Sequence, residues 1–174
     1  RDRNTVICFN KTDQADSDRI EELCDVFENS GCKIVASSVV KNEGIEELKS
    51  ILHGKTTALA GPSGVGKSSI LNAVFPDANS QTGDISVKIN RGKHTTRHSE
   101  IFALPGNTYI MDTPGFTSLE CDGMEAEDLR FYFNEFGDYE GRCRFNGCVH
   151  VNEPDCAVKE AVDKGVINST RYDI

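Results

Sequence analysis

The stretch that decides the fold is Gly61-Pro62-Ser63-Gly64-Val65-Gly66-Lys67-Ser68, which matches the phosphate-binding pattern G-x-x-x-x-G-K-[ST] at every fixed position. The pattern predicts a buried strand over 56–60 before it and a helix over 69–74 after it. Its glycines let successive backbone N–H groups point at phosphate oxygens, and the helix N-terminus adds a partial positive charge. Lys67 is then placed to neutralise the β- and γ-phosphates, and Ser68 to ligate Mg²⁺.

The composition limits the class of protein. The chain has 174 residues, a net charge of −9 and seven cysteines. No apolar run reaches the length of a membrane span and no signal peptide opens the sequence, so we expect a cytoplasmic protein with no membrane partner. Its cysteines are then expected to be reduced thiols or metal ligands, and not disulfides. Both ends read as cut from a longer protein.

A second motif, Asn10-Lys11-Thr12-Asp13, follows the β-rich run 5–9 and has the N-K-x-D pattern of GTPases. The Asp13 carboxylate can accept hydrogen bonds from the guanine N1–H and from its amino group, whereas adenine offers neither donor in that arrangement. The stem of Lys11 can pack along the base. Taken alone the motif is equally compatible with a capped turn, but with the phosphate-binding loop it favours GTP and disfavours an ATP-dependent kinase.

Downstream of this motif the periodicity predicts a helix over 16–29, a strand over 33–36 and a helix over 45–52. Gly31 is expected to end the first helix. Ser38 stands near the end of the strand, where GTPases present a backbone N–H to the guanine oxygen. Val39 occupies the position at which alanine is usual.

Two segments after the phosphate-binding loop have the character of switches. The basic stretch 91–97 contains Thr95 and Thr96, either of which can close onto Mg²⁺, although a solvated basic loop would look the same. A hairpin is predicted from strands 101–104 and 108–111, and it leads into Asp112-Thr113-Pro114-Gly115. In this D-x-x-G pattern Asp112 can hold a water bound to Mg²⁺, and the Gly115 N–H can meet the γ-phosphate. The next residue is Phe116, where many GTPases have a water-orienting glutamine.

The order of the motifs is permuted, because N-K-x-D precedes the phosphate-binding loop instead of following it. The strands can still build one sheet, since sheet assembly depends on neighbours in space. We therefore expect an α/β fold: a circularly permuted P-loop GTPase domain, with a mostly parallel sheet flanked by helices.

The C-terminal part has metal-ligand spacing. After a segment over 125–136 that is helical by pattern comes C-x₄-C-x-H-x₅-C, three thiols and one imidazole that suit a closed tetrahedral site for structural Zn²⁺. A helix over 157–162 with a narrow apolar stripe is predicted next. A zinc-binding helical segment this small buries little apolar surface, so it needs the metal ion to stabilise its fold. The alternative is three unrelated thiols in a loop. The ligands are Cys143, Cys148, His150 and Cys156; Cys8, Cys24, Cys32 and Cys121 are expected to be core or surface thiols.

The permuted order, the run His94-Thr95-Thr96 and the cysteine–histidine cluster together closely resemble the RsgA (YjeQ) family of bacterial ribosome-dependent GTPases. The resemblance implies a GTPase domain over 1–120, a truncated zinc domain over 121–174 and an N-terminal OB-fold outside this chain. It also implies a monomer that hydrolyses GTP to GDP in late maturation of the small ribosomal subunit, contacts its rRNA and is stimulated by it.

The resemblance also assigns roles to residues. His94 takes the role that Phe116 cannot fill, and it forms the catalytic set with Lys67 and Thr96. The expected GTP-binding residues are Asn10, Lys11, Thr12, Asp13, Ser38, Gly61, Pro62, Ser63, Gly64, Val65, Gly66, Lys67, Ser68, Ser69, Asp112 and Gly115. Mg²⁺ is expected on Ser68, Asp112 and Thr96, with Thr95 as the alternative to Thr96, and Zn²⁺ on Cys143, Cys148, His150 and Cys156.

The sequence is compatible with two functions from different classes. One is an enzyme whose GTP hydrolysis times its release from the small subunit. The other is a GTP-dependent ribosome- or RNA-binding switch module in which turnover is incidental. They differ in whether small subunits raise the hydrolysis rate by orders of magnitude.

Overall fold

A computed structural model describes residues 4–76, 100–112 and 125–173 of the chain. The β-strands are β1 Val6–Asn10, β2 Lys33–Ser37, β3 Thr56–Leu59, β4 Glu100–Leu104 and β5 Thr108–Asp112. The α-helices are α1 Ser17–Phe27, α2 Ile45–Leu52, α3 Lys67–Val74, α4 Ala157–Asp163 and α5 Ser169–Tyr172. Short 3₁₀ helices cover Thr12–Gln14, Glu28–Ser30, Ala126–Tyr132 and Asn134–Tyr139.

The chain divides into two compact units. The described residues of the first are 4–7, 17–34 and 125–173, and those of the second are 8–16, 35–76 and 100–112. Helix α1 belongs to the same compact unit as the C-terminal segment. Helix α1 contacts α5, and the two 3₁₀ helices Glu28–Ser30 and Asn134–Tyr139 also contact each other.

The second unit contains a three-stranded sheet of order β3-β5-β4. Strand β3 runs parallel to β5, with Leu59 opposite Asp112, and β4 pairs antiparallel with β5. The hairpin expected from the sequence is therefore confirmed, and its turn has Gly106 and Asn107 at positive φ. Strands β1 and β2 form a two-stranded sheet. In the described parts of the chain the β-structure is thus two sheets rather than one.

The core of the second unit lies between its sheet and its two helices. Helices α2 and α3 pack against each other, and each contributes the apolar residues that its sequence period predicts. Burial of these aliphatic side chains fixes both helices and with them the phosphate-binding loop that opens α3. The buried apolar residues described in this unit are Val35, Ile45, Leu48, Leu52, Leu71, Val74, Phe75, Leu104 and Ile110.

The first unit has its own core around α4 and the cysteine–histidine cluster. Val158 and Ala161 of α4 are buried with Phe136, Ile167 and two of the cysteines. The segment expected to be helical over 125–136 forms 3₁₀ helices and no α-helix. Apolar residues three apart lie on one face in both helix types, so the sequence period does not distinguish them.

Helix α1 has nearly the expected bounds. It covers Ser17–Phe27 and continues into a 3₁₀ turn, which Gly31 ends in the left-handed region at φ 75°. Helix α3 begins at Lys67, two residues earlier than the prediction. Among the described residues, no helix is both long and apolar enough to cross a bilayer.

Candidate nucleotide site and metal centre

The phosphate-binding loop joins β3 to α3, as its motif predicts. Gly66 has φ 100° and immediately precedes the first residue of α3. A Cβ atom at this position would overlap Asn10 Nδ2, so glycine is required by both conformation and space. The ammonium group of Lys67 donates to the carbonyl oxygens of Gly61 at 2.7 Å and Pro62 at 3.2 Å. These bonds hold the Lys67 ammonium group over the loop, where it is expected to neutralise the phosphates.

The N-K-x-D motif is bonded directly to this loop across more than fifty residues of sequence. Asn10 Nδ2 donates to the carbonyl oxygen of Val65 at 2.9 Å. Lys11 Nζ donates to the carbonyl oxygen of Gly64 at 2.8 Å, and Lys11 itself has left-handed φ of 67°. These two bonds fix the distance between the base-recognition motif and the phosphate-recognition motif, which is what a site for a nucleotide requires.

The Asp13 carboxylate is oriented by a serine of the following strand end. Ser38 Oγ donates to Asp13 Oδ1 at 2.6 Å and accepts the N–H of Lys41 at 3.1 Å. The Ser38 N–H donates to the carbonyl oxygen of Glu43 at 3.0 Å. Ser38 is fully buried, and its hydroxyl positions the Asp13 carboxylate.

Thr12 and Ser37 form the layer beneath the motif. Thr12 is buried and its hydroxyl donates to the carbonyl oxygen of Ser37 at 3.2 Å. The Ser37 hydroxyl donates to Asn10 Oδ1 at 3.2 Å, which leaves the Asn10 amide free to donate to the phosphate-binding loop. It also lies 3.3 Å from Cys8 Sγ. Thr12, which the sequence assigns to the nucleotide-binding set, thus supports the motif from below.

A cavity of about 150 Å³ lies beside the motif. Five of the eight residues that line it were expected from the sequence to bind GTP, whereas Gln14, Val39 and Val40 were not. The only signal for Val40 is its place two residues after Ser38. Val40 is 83 % exposed, which is unusual for a valine at the mouth of a cavity. The residues that line the cavity are Asn10, Lys11, Asp13, Gln14, Val39, Val40, Gly66 and Ser69.

The structure describes only some of the residues that are expected to surround the phosphates. Asp112 is the last residue of β5 and lies opposite Leu59 at the end of β3, so its backbone is next to the strand that enters the phosphate-binding loop. The expected positions of His94, Thr95, Thr96 and Gly115 fall outside the described residues, and so does Phe116.

The four expected metal ligands are brought together in the first unit. Their ligand atoms all lie within 4.8 Å of one another, and three of the four residues are buried. Cys143 Sγ lies 3.9 Å from Cys156 Sγ, and His150 Nδ1 lies 3.6 Å and 3.3 Å from the same two sulfur atoms. Ligands at about 2.3 Å from a tetrahedral zinc ion are separated by about 3.7 Å. The donor set and its spacing therefore fit zinc.

The Cys148 thiol is protonated unless a cation displaces its proton. Burial, with the adjacent thiols of Cys143 and Cys156, raises the pKa of Cys148 to about 12. A thiol in this environment ionises at neutral pH when a metal ion compensates the charge, so metal binding releases protons and is favoured by rising pH.

The loop between the last two ligands is held by one carboxylate. Glu153 accepts the backbone N–H of Val149 at 2.9 Å and those of Val151 and Asn152 at 3.1 Å each. The bond from Val149 is the main reason that the pKa of Glu153 lies below its usual range. His150 has left-handed φ of 65° in this loop, so Glu153 stabilises a backbone shape that histidine adopts at a cost.

A sequence model described as RsgA GTPase matches residues 1–122, which contain the N-K-x-D motif, the phosphate-binding loop and Asp112. The chain belongs to the RsgA GTPase family. Two curated relatives, both called small ribosomal subunit biogenesis GTPase RsgA, are 53 % identical over 168 residues (Agathobacter rectalis) and 50 % identical over 167 residues (Caldanaerobacter subterraneus subsp. tengcongensis). The matches cover 97 % and 96 % of this chain and 56 % of each relative.

Solved structures of RsgA-like proteins agree with the fold. YjeQ from Thermotoga maritima superposes with a TM-score of 0.79 at 40 % identity, covering 98 % of this chain and 56 % of that one. A second, YloQ, is described as a circularly permuted GTPase and gives a TM-score of 0.72 at 31 % identity, covering 97 % and 53 %. The permuted GTPase architecture expected from the motif order is thus confirmed. The chain spans little more than half the length of the RsgA proteins that it matches.

Proposed function

We propose that this chain is the catalytic portion of a GTP hydrolase that acts in late maturation of the small ribosomal subunit and is stimulated by that subunit. The observation that carries the proposal is the pair of hydrogen bonds from Asn10 and Lys11 to the phosphate-binding loop. They hold the motif that recognises guanine next to the loop that binds the phosphates, and one cavity lies beside both. Membership of the RsgA family and the names of its relatives give the biological setting.

Recognition of the base follows from the orientation of Asp13. Its carboxylate, held by Ser38, accepts the two guanine N–H donors, and the Lys11 stem lies along the base because its ammonium group is bonded to Gly64. The N–H groups of the loop from Gly61 to Ser69 and the Lys67 ammonium then bind the phosphates.

Mg²⁺ accompanies the nucleotide in this proposal and neutralises charge that develops on the β- and γ-phosphates. Ser68 is at the start of α3, which follows the loop, and Asp112 is at the end of β5, which pairs with the strand β3 that precedes the loop. Thr96 or Thr95 completes the set, and Gly115 meets the γ-phosphate.

The catalytic water is oriented by His94 in this proposal, because Phe116 has no hydrogen-bonding group. Basal hydrolysis is therefore slow, and the small subunit brings His94 into position. A His94→Ala variant is expected to lose stimulation and to keep GTP binding. If its stimulated rate equals that of the wild type, another group orients the water.

The cysteine–histidine cluster binds one structural Zn²⁺, whose role is to hold the C-terminal segment together. We further propose that the segment over 121–174 acts as a zinc domain beside a GTPase domain over 1–120, that the protein is a cytoplasmic monomer, and that an OB-fold outside this chain assists rRNA binding. The zinc site is supported by the fit of the four ligand atoms to tetrahedral spacing, and the other parts of the proposal by membership of the RsgA family.

The test is GTP hydrolysis by this protein with and without small ribosomal subunits, with Lys67→Ala as the control. We expect slow basal turnover, stimulation by orders of magnitude, and neither in the control. Nucleotide binding without stimulation would favour the alternative, a GTP-dependent ribosome-binding switch module. A Lys67→Ala variant that hydrolyses GTP at the wild-type rate would exclude the assigned loop.

A further inference from the structure

The two ring nitrogens of His150 face different groups. Nδ1 lies 3.3 Å from Cys156 Sγ and 3.6 Å from Cys143 Sγ, on the side of the metal ligands. Nε2 lies 2.9 Å from Glu140 Oε1, on the opposite side. The imidazole is 2 % exposed, so this carboxylate takes the place of water at Nε2.

Glu140 is itself held in place. Its second oxygen lies 3.8 Å from Arg130 Nη1, and the same Nη1 donates to the carbonyl oxygen of Cys148. Arg130 and Glu140 are both largely buried, with 18 % and 28 % of their side chains exposed. The guanidinium compensates the charge of a carboxylate that would otherwise add to that of three nearby thiolates.

The ring has one orientation that satisfies these neighbours. Turning it over would place carbon atoms where Nδ1 and Nε2 now lie, and would leave the Glu140 carboxylate facing a C–H group. The backbone around the ring is fixed too, because the Tyr172 hydroxyl donates to the carbonyl oxygen of His150. Phe136 packs edge-on to the imidazole with ring centroids 5.9 Å apart.

We infer that Glu140 is the positioning residue of the metal centre: it accepts the Nε2–H of His150, which fixes the tautomer whose Nδ1 lone pair points at the ion. A charged acceptor at the far nitrogen also makes the imidazole a more basic ligand. This inference rests on the proposed zinc site, and it assigns Nδ1 as the ligating atom. Arg130 of the 3₁₀ helix Ala126–Tyr132 is thereby connected to the ligand shell through Glu140.

The experiment compares Glu140→Ala, Glu140→Gln and a matched control, Asp138→Ala, which removes an exposed carboxylate two residues away. Zinc affinity is measured by competition with a chromogenic chelator. We expect a loss of about 10–100-fold for Glu140→Ala, the range found for outer-shell partners of metal ligands. Glu140→Gln keeps an acceptor oxygen without the charge, so its affinity should fall between those of Glu140→Ala and the wild type.

Long-range ¹H–¹⁵N NMR of the zinc-loaded protein gives a readout that a purely structural role would not move. We expect His150 to be metal-bound at Nδ1 and protonated at Nε2 in the wild type and in Glu140→Gln. The Nε2 proton should exchange rapidly with water in Glu140→Ala. If Glu140→Ala fails to fold, Glu140→Gln, which is nearly isosteric, still tests the inference through both readouts.

The outcomes distinguish a failure of the proposed zinc site from a failure of the positioning role of Glu140. A wild-type protein that binds no zinc would exclude the metal site itself. If the wild type binds zinc but coordinates it through Nε2, or if both Glu140 variants keep wild-type affinity, the site stands and the positioning role of Glu140 is wrong.

Discussion

The hydroxyl group of Ser38 lies 2.6 Å from Oδ1 of Asp13, across twenty-five residues of sequence. Asp13 is the residue that reads guanine in the proposed function, and Ser38 sits at 0 % exposure behind it. The hydrogen bond restricts rotation of the carboxylate, so that its oxygens face the cavity before a nucleotide arrives. A carboxylate preorganised in this way loses less conformational freedom on binding.

Ser38→Ala is therefore expected to weaken GDP binding about tenfold. A hydrogen bond to a charged group contributes about 1.5–3 kcal/mol, and the lower end applies because the substitution leaves the guanine contacts themselves in place. Titration of a fluorescent GDP analogue measures the effect. Ser50→Ala is the matched control, since that hydroxyl donates to Glu46 O on the exposed side of α2. Equal affinities in the two variants would contradict the positioning role.

Asp13→Asn is expected to weaken GTP binding and to relax discrimination against xanthine nucleotides. The amide offers a donor to the carbonyl oxygen that xanthine has in place of the guanine amino group, and it loses a charge-assisted bond to guanine. Competition between GTP and XTP for the same fluorescent analogue measures the ratio. If the variant keeps the wild-type affinity for GTP, Asp13 does not read the base.

Zinc is expected at about one ion per chain by elemental analysis, the count for a single four-ligand site. Cys148→Ala should lose the metal and the hydrogen-exchange protection of α4, because two of the cluster's cysteines are part of the core that contains Val158 and Ala161. Nucleotide binding should be largely retained. Cys24→Ala, which removes a thiol outside the cluster, is the control, and a fully zinc-loaded Cys148→Ala protein would refute the ligand assignment.

Glu153→Gln should shift zinc release to higher pH. The folded state lowers the pKa of this carboxyl through the Val149 N–H, so its contribution to stability is present above the ordinary pKa of about 4.3 and is lost as the pH falls through the lowered value. The Glu153→Gln variant lacks this stabilising contribution at every pH, so it should release zinc at a higher pH than the wild type does. A metallochromic dye that follows zinc release during acid titration gives the midpoint. Asp163→Asn, an exposed carboxylate of α4, is the control and should leave the midpoint unchanged.

Arg171→Met should destabilise the first unit by about 3–5 kcal/mol, the usual cost of removing one partner of a buried ion pair. Arg171 Nε lies 2.6 Å from Glu135 Oε1, and the Glu135 side chain is only 3 % exposed. The guanidinium also lies 4.3 Å from the Phe133 ring centroid and 5.3 Å from that of Phe27. Urea unfolding followed by exchange protection of α1 and α5 measures the loss.

The control for that measurement is Lys164→Ala, which breaks an ion pair with Glu160 whose side chains are 64 % and 66 % exposed. Exposed pairs of this kind contribute little to stability. The double variant Arg171→Met with Glu135→Gln should recover part of the loss, because the uncompensated charge is then gone. Equal effects of Arg171→Met and Lys164→Ala would show that the Arg171 contacts do not stabilise the unit.

The sequence predicted the parts of this protein whose chemistry is local. The phosphate-binding loop, the strand and helix on either side of it, the β4–β5 hairpin and the grouping of the three cysteines with His150 all depend on residue types at fixed, short spacings. Gly66 illustrates this, since its positive φ is required by the start of the next helix. The permuted order of the motifs could likewise be read from the chain without any coordinates.

The tertiary structure alone decided which distant groups meet. The bridge between Ser38 and Glu43 and the hydrogen bond from the Ser38 hydroxyl to Asp13 join segments that no sequence motif connects. Glu140 has no sequence signature as a partner of His150, and α1 had no evident reason to belong with the C-terminal segment. The physical reason is the same in each case: hydrogen bonds and packing between segments far apart in sequence depend on the positions of both, and a local pattern specifies only one.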